Sequence, residues 1–125
     1  MALHIGLSAR VELHVTDEDT AAAFHSGDVP VLATPRLLAL CEEAACLALA
    51  GHLPAGTTSV AKRAQFDHLV PVGIGGDVRA EALLDSIQGR RLSFTVSVSD
   101  ASGLVAAGKV SRVVVDRETF LASAR

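Results

Sequence analysis

The sequence predicts an α+β fold in which one long central helix is wrapped by a curved, five-stranded antiparallel sheet. Three observations predict it: an alternating stretch near the start, one long apolar stretch with helix signals, and four further alternating stretches after it. The chain has 125 residues, of which half are apolar and a fifth are charged. That size and composition are typical of one globular domain, which we expect to span residues 1–125.

The first predicted strand covers residues 4–15, where apolar and polar side chains alternate. Its apolar face consists of Ile5, Leu7, Ala9, Val11, Leu13 and Val15, and its polar face of His4, Ser8, Arg10, Glu12 and His14. An acidic segment rich in small residues follows at 16–33, with room for a short helical turn. Because this segment is long for a connector, we expect it to form a lid or a pocket wall.

The predicted helix covers residues 35–50. Thr34 is a favourable N-cap, and Pro35 suits the first helical position, where its missing N–H costs nothing. Apart from Arg36, Glu42 and Glu43, the stretch is apolar nearly all the way round. A helix of this composition is typically buried rather than placed on a surface.

Four more strands are predicted after the helix, at 57–68, 76–87, 91–100 and 104–115. The joints at 88–89 and 101–103 are short enough for hairpin turns, so we expect these strands to follow one another as antiparallel neighbours in a meander. A sheet of this kind curved around one apolar helix is the hot-dog fold.

Membrane and nucleic-acid partners are not expected. No apolar run reaches the ~18 residues of a membrane span, and the start, MALHIGLSAR, lacks the basic region and cleavage pattern of a signal peptide. The net charge is −3, the basic residues are scattered, and there is no Trp or Tyr for base stacking. These features indicate a cytoplasmic protein that binds neither a bilayer nor a nucleic acid.

The cysteines and most histidines do not predict a metal or redox site. Cys41 and Cys46 lie five residues apart in the predicted helix, a spacing that fits reduced core thiols better than a disulfide or a metal knuckle. Four further histidines show no metal-ligand spacing, and we expect no metal. They are His4, His14, His25 and His52.

The spacing of Thr34, Glu42 and His68 resembles that of a known family. With the strand "GTTSV" between the helix and His68, and the strand "GRRLSFTVSVSD" after it, the chain resembles the fluoroacetyl-CoA thioesterase group of hot-dog thioesterases over residues 5–120. The resemblance implies hydrolysis of an acyl-CoA, with no cofactor beyond the CoA thioester itself. It also implies homodimers whose sheets join edge to edge, with active sites between subunits, and it leaves open whether dimers pair into tetramers.

The resemblance does not extend to fluoroacetyl-CoA specificity. In that enzyme the specificity depends on an aromatic lid, and the corresponding loop here, 24–32, keeps only Phe24. The acyl group of the substrate therefore stays open at this point, as does the choice between CoA and acyl carrier protein as the carrier.

His68 stands at the end of the strand 57–68. Alternation along that strand places Val60, Ala64, Phe66 and His68 on one face, which we expect to meet the helix. A lone histidine in such a place is often structural, held by a hydrogen bond. The family resemblance instead implies acid/base work on a water molecule or on the departing thiolate, since imidazole titrates near neutral pH.

Glu42 is a carboxylate in a nearly all-apolar helix, where burial is costly unless the group is paired or functional. Glu43 follows it at about 100° around the helix, and spacing alone leaves open which of the two faces inward. The resemblance selects Glu42, as general base for water or as direct nucleophile on the thioester carbonyl. The alternative is a salt-bridged residue at a dimer interface.

Thr34 has a structural role as helix cap and, through the resemblance, a catalytic one. Backbone N–H groups at a helix N-terminus can stabilise the oxyanion that forms at a thioester carbonyl. Eight helical residues rise ~12 Å, so Thr34 and Glu42 of one helix cannot both touch one carbonyl carbon. We therefore expect the site to combine residues of two chains and a monomer to be inactive.

Five further residues are expected to bind substrate. Val60, Ala61 and Phe66 lie on the strand that encloses the helix, Gly75 belongs to a glycine-rich turn that could line the pantetheine channel, and Arg91 could contact CoA phosphates. For the glycine turn and the arginine, a turn into the next strand and a solvated strand end are the structural alternatives.

Three functions compete on this reading. The first is an acyl-CoA thioesterase that releases a small free acid and CoA. The second, a hot-dog hydratase or dehydratase, usually pairs an acidic residue with a helix histidine, and 35–50 contains none. The third is a non-catalytic acyl-thioester binding or scaffold module, against which the buried carboxylate of Glu42 speaks.

Overall fold

The computed structural model describes residues 2–125 and contains five strands and one long helix, as predicted. The strands are β1 (Ser8–His14), β2 (Thr57–His68), β3 (Asp77–Gln88), β4 (Arg91–Asp100) and β5 (Gly103–Asp116). The long helix is α2 (Thr34–Leu49), and two short helices are α1 (Ala21–Phe24) and α3 (Arg117–Ala122). A single 3-10 turn, Asp17–Asp19, precedes α1.

The strands form one antiparallel sheet in the order β1-β3-β4-β5-β2. The meander β3-β4-β5 is confirmed, but the prediction that β2 neighbours β3 is wrong. The chain leaves β2 by the connection 69–76, which is much longer than a hairpin turn, and crosses to the far side of the sheet. β2 therefore pairs with β5 and forms an edge strand.

The core lies between α2 and the inner face of the sheet. The alternation predicted for β3 and β4 is confirmed, because alternate residues from 78 to 84 and from 92 to 98 are buried and those between them are more open. The buried set consists of Val78, Ala80, Ala82, Leu84, Leu92, Phe94, Val96 and Val98. Helix α2 buries one face against β1 and β3, through Leu37, Leu40, Cys41, Ala44, Ala45, Ala48 and Leu49.

The prediction that α2 is buried on all sides is wrong within one chain. The sheet covers only one side of the helix, so Ala39, Cys46 and Leu47 on the other side are exposed, and Leu47 keeps 55% of its surface open. Cys46 is therefore not a core thiol, whereas Cys41 is. An apolar helix face left open in this way normally meets a further surface.

The start of α2 also differs from the prediction. Ala33 occupies the cap position and Thr34 is already helical, so Pro35 is the second helical residue and not the first. The Thr34 hydroxyl makes no capping hydrogen bond. Thr34 is therefore not the helix cap, and its side chain is free to serve another partner.

A bulge in β2 changes which of its residues face the helix. The register with β5 shifts between Ala61 and Arg63, and one extra residue in a strand turns the following side chains to the opposite face. Val60 pairs with Val113 and Ala61 with the buried Arg112. Because cross-strand partners share a face, Val60 points to the outer side of the sheet, and the prediction that it shares a face with His68 is wrong.

The same register keeps Ala61, Ala64, Phe66 and His68 on the inner side. They pair with Arg112, Val110, Gly108 and Ala106, respectively. Phe66 and His68 are half-buried, but Ala61 and Ala64 are exposed, because α2 packs on β1 and β3 and scarcely reaches this edge. The prediction that this face of β2 is buried against the helix is therefore wrong for Ala64 within one chain.

Gly108 is required by the close pairing of β2 and β5. A Cβ at this position would collide with the carbonyl oxygen of Gln65 and would lie 2.8 Å from the Cα of Phe66. We expect Gly108→Ala to lower the free energy of unfolding by about 1–3 kcal/mol through overpacking. Urea unfolding measures this, with Gly73→Ala as the control, since Cβ there has open space. Equal stability of the two variants would contradict the close approach.

Candidate active site

The first residue of α2 and the last residue of β2 meet through their side chains. Thr34 Oγ1 lies 2.7 Å from His68 Nδ1, a short hydrogen bond. The other ring nitrogen, Nε2, is buried and has no hydrogen-bond partner among the atoms of residues 2–125. A buried nitrogen of this kind is uncommon in folded proteins and often marks a functional group.

Either tautomer of His68 leaves Nε2 ready for proton transfer. If Nδ1–H donates to Thr34 Oγ1, the Nε2 lone pair is free to accept a proton. If the Thr34 hydroxyl donates to Nδ1, then Nε2 carries the proton and can release it. The threonine therefore fixes the ring, and the buried nitrogen supplies an acid or a base.

Thr34 and His68 line a cavity of about 350 Å³. The rest of its wall comes from Pro35, the segment 16–33 and the residues after β2, and among residues 2–125 no carboxylate, lysine or arginine lines it. The apolar lining residues are Ala21, Val29, Val31, Leu32, Pro35, Leu69, Val70 and Pro71. The prediction that the segment 16–33 forms a pocket wall is confirmed.

A larger depression of about 550 Å³ lies elsewhere, between the ends of β1, β3 and β4. Its ionisable groups include the His14–Asp77 pair, with 2.7 Å between Nδ1 and Oδ1, and both side chains are well exposed. That pair lies among further charged side chains, those of Glu12, Arg79 and Asp100, and within residues 2–125 no unpaired buried side-chain nitrogen accompanies it. We therefore identify the Thr34–His68 cavity as the candidate site by the chemistry of its lining residues and not by its volume.

Glu42 faces the sheet, and Glu43 is exposed. Glu42 Oε1 lies 3.8 Å from Arg112 Nη1, and its side chain keeps 35% of its surface open. Arg112 is buried on β5, where Nε donates to Ser59 Oγ at 2.9 Å and Nη2 donates to the Ser59 carbonyl at 3.0 Å. The guanidinium is thus held in place by β2 and offers one nitrogen to the carboxylate.

Glu42 does not line the cavity that contains Thr34 and His68 in the same chain. This agrees with the rise of ~12 Å over eight helical residues. The structure brings Thr34 and His68 together and leaves Glu42 on another part of the helix, next to the open edge strand.

The neighbouring thiol is not a candidate nucleophile. Burial raises the pKa of Cys41 to about 12, and the negative charge of Glu42 acts in the same direction. The thiolate, which is the reactive form, is therefore scarce at neutral pH. Within residues 2–125, no group of three or more His, Cys, Asp or Glu side chains is arranged to hold a metal ion.

Comparison with known proteins decides the family. The model of the FlK family, fluoroacetyl-CoA-specific thioesterase, matches residues 15–118. A fluoroacetyl-CoA thioesterase from Streptantibioticus cattleyicolor is 34% identical over 95 residues, which are 76% of this chain and 68% of that relative.

The chain belongs to the FlK family of thioesterases. A crystal structure of the fluoroacetyl-CoA thioesterase FlK superposes with a TM-score of 0.88 at 27% identity, over 98% of this chain and 95% of that one. A thioesterase superfamily member from Thermus thermophilus superposes with a TM-score of 0.87 at 26% identity, over 95% of this chain and 88% of that one. A hot-dog-like protein from Thermanaerovibrio acidaminovorans gives 0.86 at 27% identity, over 94% and 87% of the two chains. The hot-dog fold is confirmed.

The five residues expected to bind substrate lie outside the Thr34–His68 cavity of this FlK-family chain. Gly75 is exposed in the turn before β3, has φ of +91° and donates its N–H to the carbonyl of Val15, as expected of a turn residue. Arg91 is exposed at the start of β4. Val60, Ala61 and Phe66 lie along the edge strand.

Two residues that the sequence analysis missed stand out in this family member. Arg112 interrupts the apolar stretch VSRVVVD, and a lone charge between apolar residues was the available signal. Asp19 stands three residues after Thr16, the spacing of a capping box, and it is buried.

None of the helices within residues 2–125 has the length and hydrophobicity needed to cross a bilayer.

Asp19 is a buried carboxylate held in its charged form. Burial raises its pKa, but hydrogen bonds from the Thr16 N–H, from Arg36 and from the Thr16 hydroxyl, together with the Arg36 charge, hold the pKa below 3.8. Because the folded pKa lies below the unfolded one, this stabilisation is complete above about pH 5 and is lost as the pH falls through the folded pKa.

Asp19→Asn should therefore cost stability only where the native carboxylate is charged. We expect a loss of about 1–3 kcal/mol at pH 7, the range for a charged hydrogen bond, and a smaller loss at about pH 3, below the ordinary pKa of an aspartate, where part of the stabilisation is already gone. Urea unfolding at the two pH values measures this, with the exposed Asp17→Asn as the control. An equal loss at both pH values would contradict the assigned charge.

Proposed function

We propose that this protein is an acyl-CoA thioesterase, which hydrolyses a small acyl thioester to the free acid and CoA. Thr34, Glu42 and His68 carry the reaction. The observation that supports this most strongly is the 2.7 Å contact between Thr34 Oγ1 and His68 Nδ1 in an uncharged cavity, with His68 Nε2 buried and unpartnered. Membership of the FlK family supplies the reaction class.

The complete site is proposed to lie between two copies of the chain. The exposed apolar side of α2 and the unpaired outer edge of β2 are adjacent surfaces that a second copy could cover, since open strand edges readily pair. In such a homodimer, Glu42 of one chain serves the Thr34–His68 pair of the other. Pairing of dimers into tetramers remains a further option for the assembly.

The proposed reaction adds water across the C–S bond. In one route Glu42 takes a proton from water as the hydroxide adds to the carbonyl carbon. In the other the carboxylate attacks that carbon directly, and water hydrolyses the mixed anhydride that forms once the CoA thiolate has left. N–H groups in the first turn of α2 stabilise the oxyanion. As the C–S bond breaks in either route, the CoA thiolate takes a proton from His68 Nε2, and the proton released by water returns to His68 through solvent.

The remaining proposals concern substrate contacts and setting. The neutral lining of the cavity favours an uncharged acyl group. We propose that the CoA moiety is contacted by Ala61 and Phe66 on the inner side of β2, Val60 on its outer side, Gly75 in the turn before β3 and Arg91 at the start of β4. The whole chain, 1–125, acts as one domain in the cytoplasm. No cofactor or metal is needed beyond the CoA thioester, and no nucleic acid or membrane partner takes part.

A panel of acyl-CoAs tests the function. Acetyl-, butyryl-, isobutyryl- and benzoyl-CoA are incubated with the purified protein, and released CoA is followed with a thiol-reactive dye. We expect catalytic release from at least one of them and a dimer in sedimentation. Binding of acyl-CoA without release would favour a non-catalytic module, and hydration of an enoyl-CoA without release would favour a hydratase.

A further inference from the structure

The segment 16–33 is closed on itself at its base. Ala21 N–H donates to the Val31 carbonyl at 2.8 Å, and Ala33 N–H donates to the Asp19 carbonyl at 2.9 Å. Thr20 and Leu32 also pair as an isolated bridge. The two ends of the segment are therefore tied together, and the cavity is lined both by this base and by residues 26, 27 and 29 of the exposed tip.

An ion pair links that base to the first turn of α2, in addition to the hydrogen bond from Leu32 N–H to the Val72 carbonyl, at 2.8 Å, which ties it to the connection after β2. Asp19 Oδ1 accepts from Arg36 Nε at 3.0 Å, and Asp19 Oδ2 accepts from the Thr16 N–H at 2.8 Å and the Thr16 hydroxyl at 3.2 Å. The Asp19 and Arg36 side chains are only 12% and 24% exposed. Arg36 follows Thr34 in the first turn of the helix, so the pair fixes the wall relative to the reacting side chains.

Neither Asp19 nor Arg36 lines the cavity, and the proposed reaction uses neither side chain. Burying a charge pair is costly, and within residues 2–125 the other ion pair with a well-buried partner, Arg112–Glu42, includes a residue of the proposed reaction. The Arg10–Glu81 pair has a distance of 2.7 Å between Nε and Oε2, but its side chains are 63% and 47% exposed. The buried Asp19–Arg36 pair therefore lies at the junction between the segment 16–33 and α2, whereas the Arg10–Glu81 pair lies on the protein surface.

We propose that Asp19 and Arg36 are positioning residues that hold the wall segment 16–33 against the cavity and thereby set the choice of acyl group. This inference rests on the proposed thioesterase function. The Thr34–His68 contact joins α2 directly to β2 and does not depend on the wall. Loosening the wall therefore weakens recognition of the acyl group more than it weakens proton transfer.

The test compares Asp19→Asn and Arg36→Met with the matched control Glu81→Gln, which removes an exposed ion pair of similar length. Between straight acyl-CoAs that differ by one methylene, in the range of two to six carbons, a rigid apolar pocket gives a ratio of kcat/KM values of roughly tenfold or more. We expect that ratio to fall to about two- to threefold in both variants, with KM raised about fivefold and kcat for acetyl-CoA within about threefold. Arg36→Lys, which keeps the charge, should recover part of the selectivity.

Additional outcomes separate this inference from the proposed function. If both variants lose thermal stability but keep the wild-type ratio of kcat/KM along the series, the pair is only structural and the inference is overturned. If the wild type releases no thiol from any acyl-CoA, the proposed function fails instead. The same ratio is then measured from equilibrium binding of the acyl-CoAs by calorimetry, where an unchanged ratio overturns the inference and a reduced one supports it.

Discussion

Glu42→Gln should lower kcat for acyl-CoA hydrolysis by about 10³-fold, within the range for loss of a general base. The amide has nearly the size of the carboxylate but can neither accept a proton from water nor attack the thioester. Thiol release measured with a dye under single-turnover and steady-state conditions gives this number. KM should change little, because the lost interaction acts mainly in the transition state.

Glu43→Gln is the matched control for Glu42→Gln, since the two residues are adjacent on α2 and Glu43 is exposed. The control should retain wild-type kcat. The alternative role of Glu42 is that of an ion-pair partner for Arg112, at 3.8 Å. A Glu42→Gln variant with more than about a tenth of wild-type kcat and a lowered melting temperature would identify that structural role as the main one.

His68→Ala should lower kcat by about 10²- to 10³-fold while costing no more than about 1.5 kcal/mol of stability, the net value of one neutral hydrogen bond. His68 is half-buried, and its one hydrogen bond is to Thr34, so its removal leaves a small defect. Activity and urea unfolding are measured on the same preparation.

The control for His68→Ala is His14→Ala, which removes an exposed imidazole from the other end of the sheet. It should leave kcat unchanged. A His68→Ala protein whose activity loss is fully explained by its unfolded fraction would show that the histidine is structural. The pH profile adds a second measurement, because a proton-transferring imidazole gives an inflection that the variant loses.

Much of the architecture could be predicted because side-chain periodicity reports burial directly. The alternation in β3 and β4 and the apolar helix identified their elements to within one or two residues. Periodicity does not report which strands are neighbours, and β2 was misplaced for that reason. The bulge after Ala61 was also hidden, since the stretch VAKRAQF contains no glycine or proline to mark it.

The candidate site was only partly accessible to the same reasoning. Thr34 has the composition of a helix cap, and its hydroxyl turns out to contact His68 because the preceding residue takes the cap position. Contacts between α2 and β2 depend on how the chain crosses the sheet, which sequence spacing does not describe. Asp19 was not predicted because a carboxylate within an acidic stretch is normally exposed to solvent, and its burial is evident only from the structure.

The base of the segment 16–33 is tied down, whereas residues 22–30 at its tip are all exposed. Substitutions there touch neither the hydrophobic core nor the sheet, and exposed positions usually tolerate change at little cost. A lineage could therefore retune its acyl preference by drifting at the tip while the reacting pair stays intact. The tip of the segment 16–33 can therefore change in sequence without destabilising the core or the sheet.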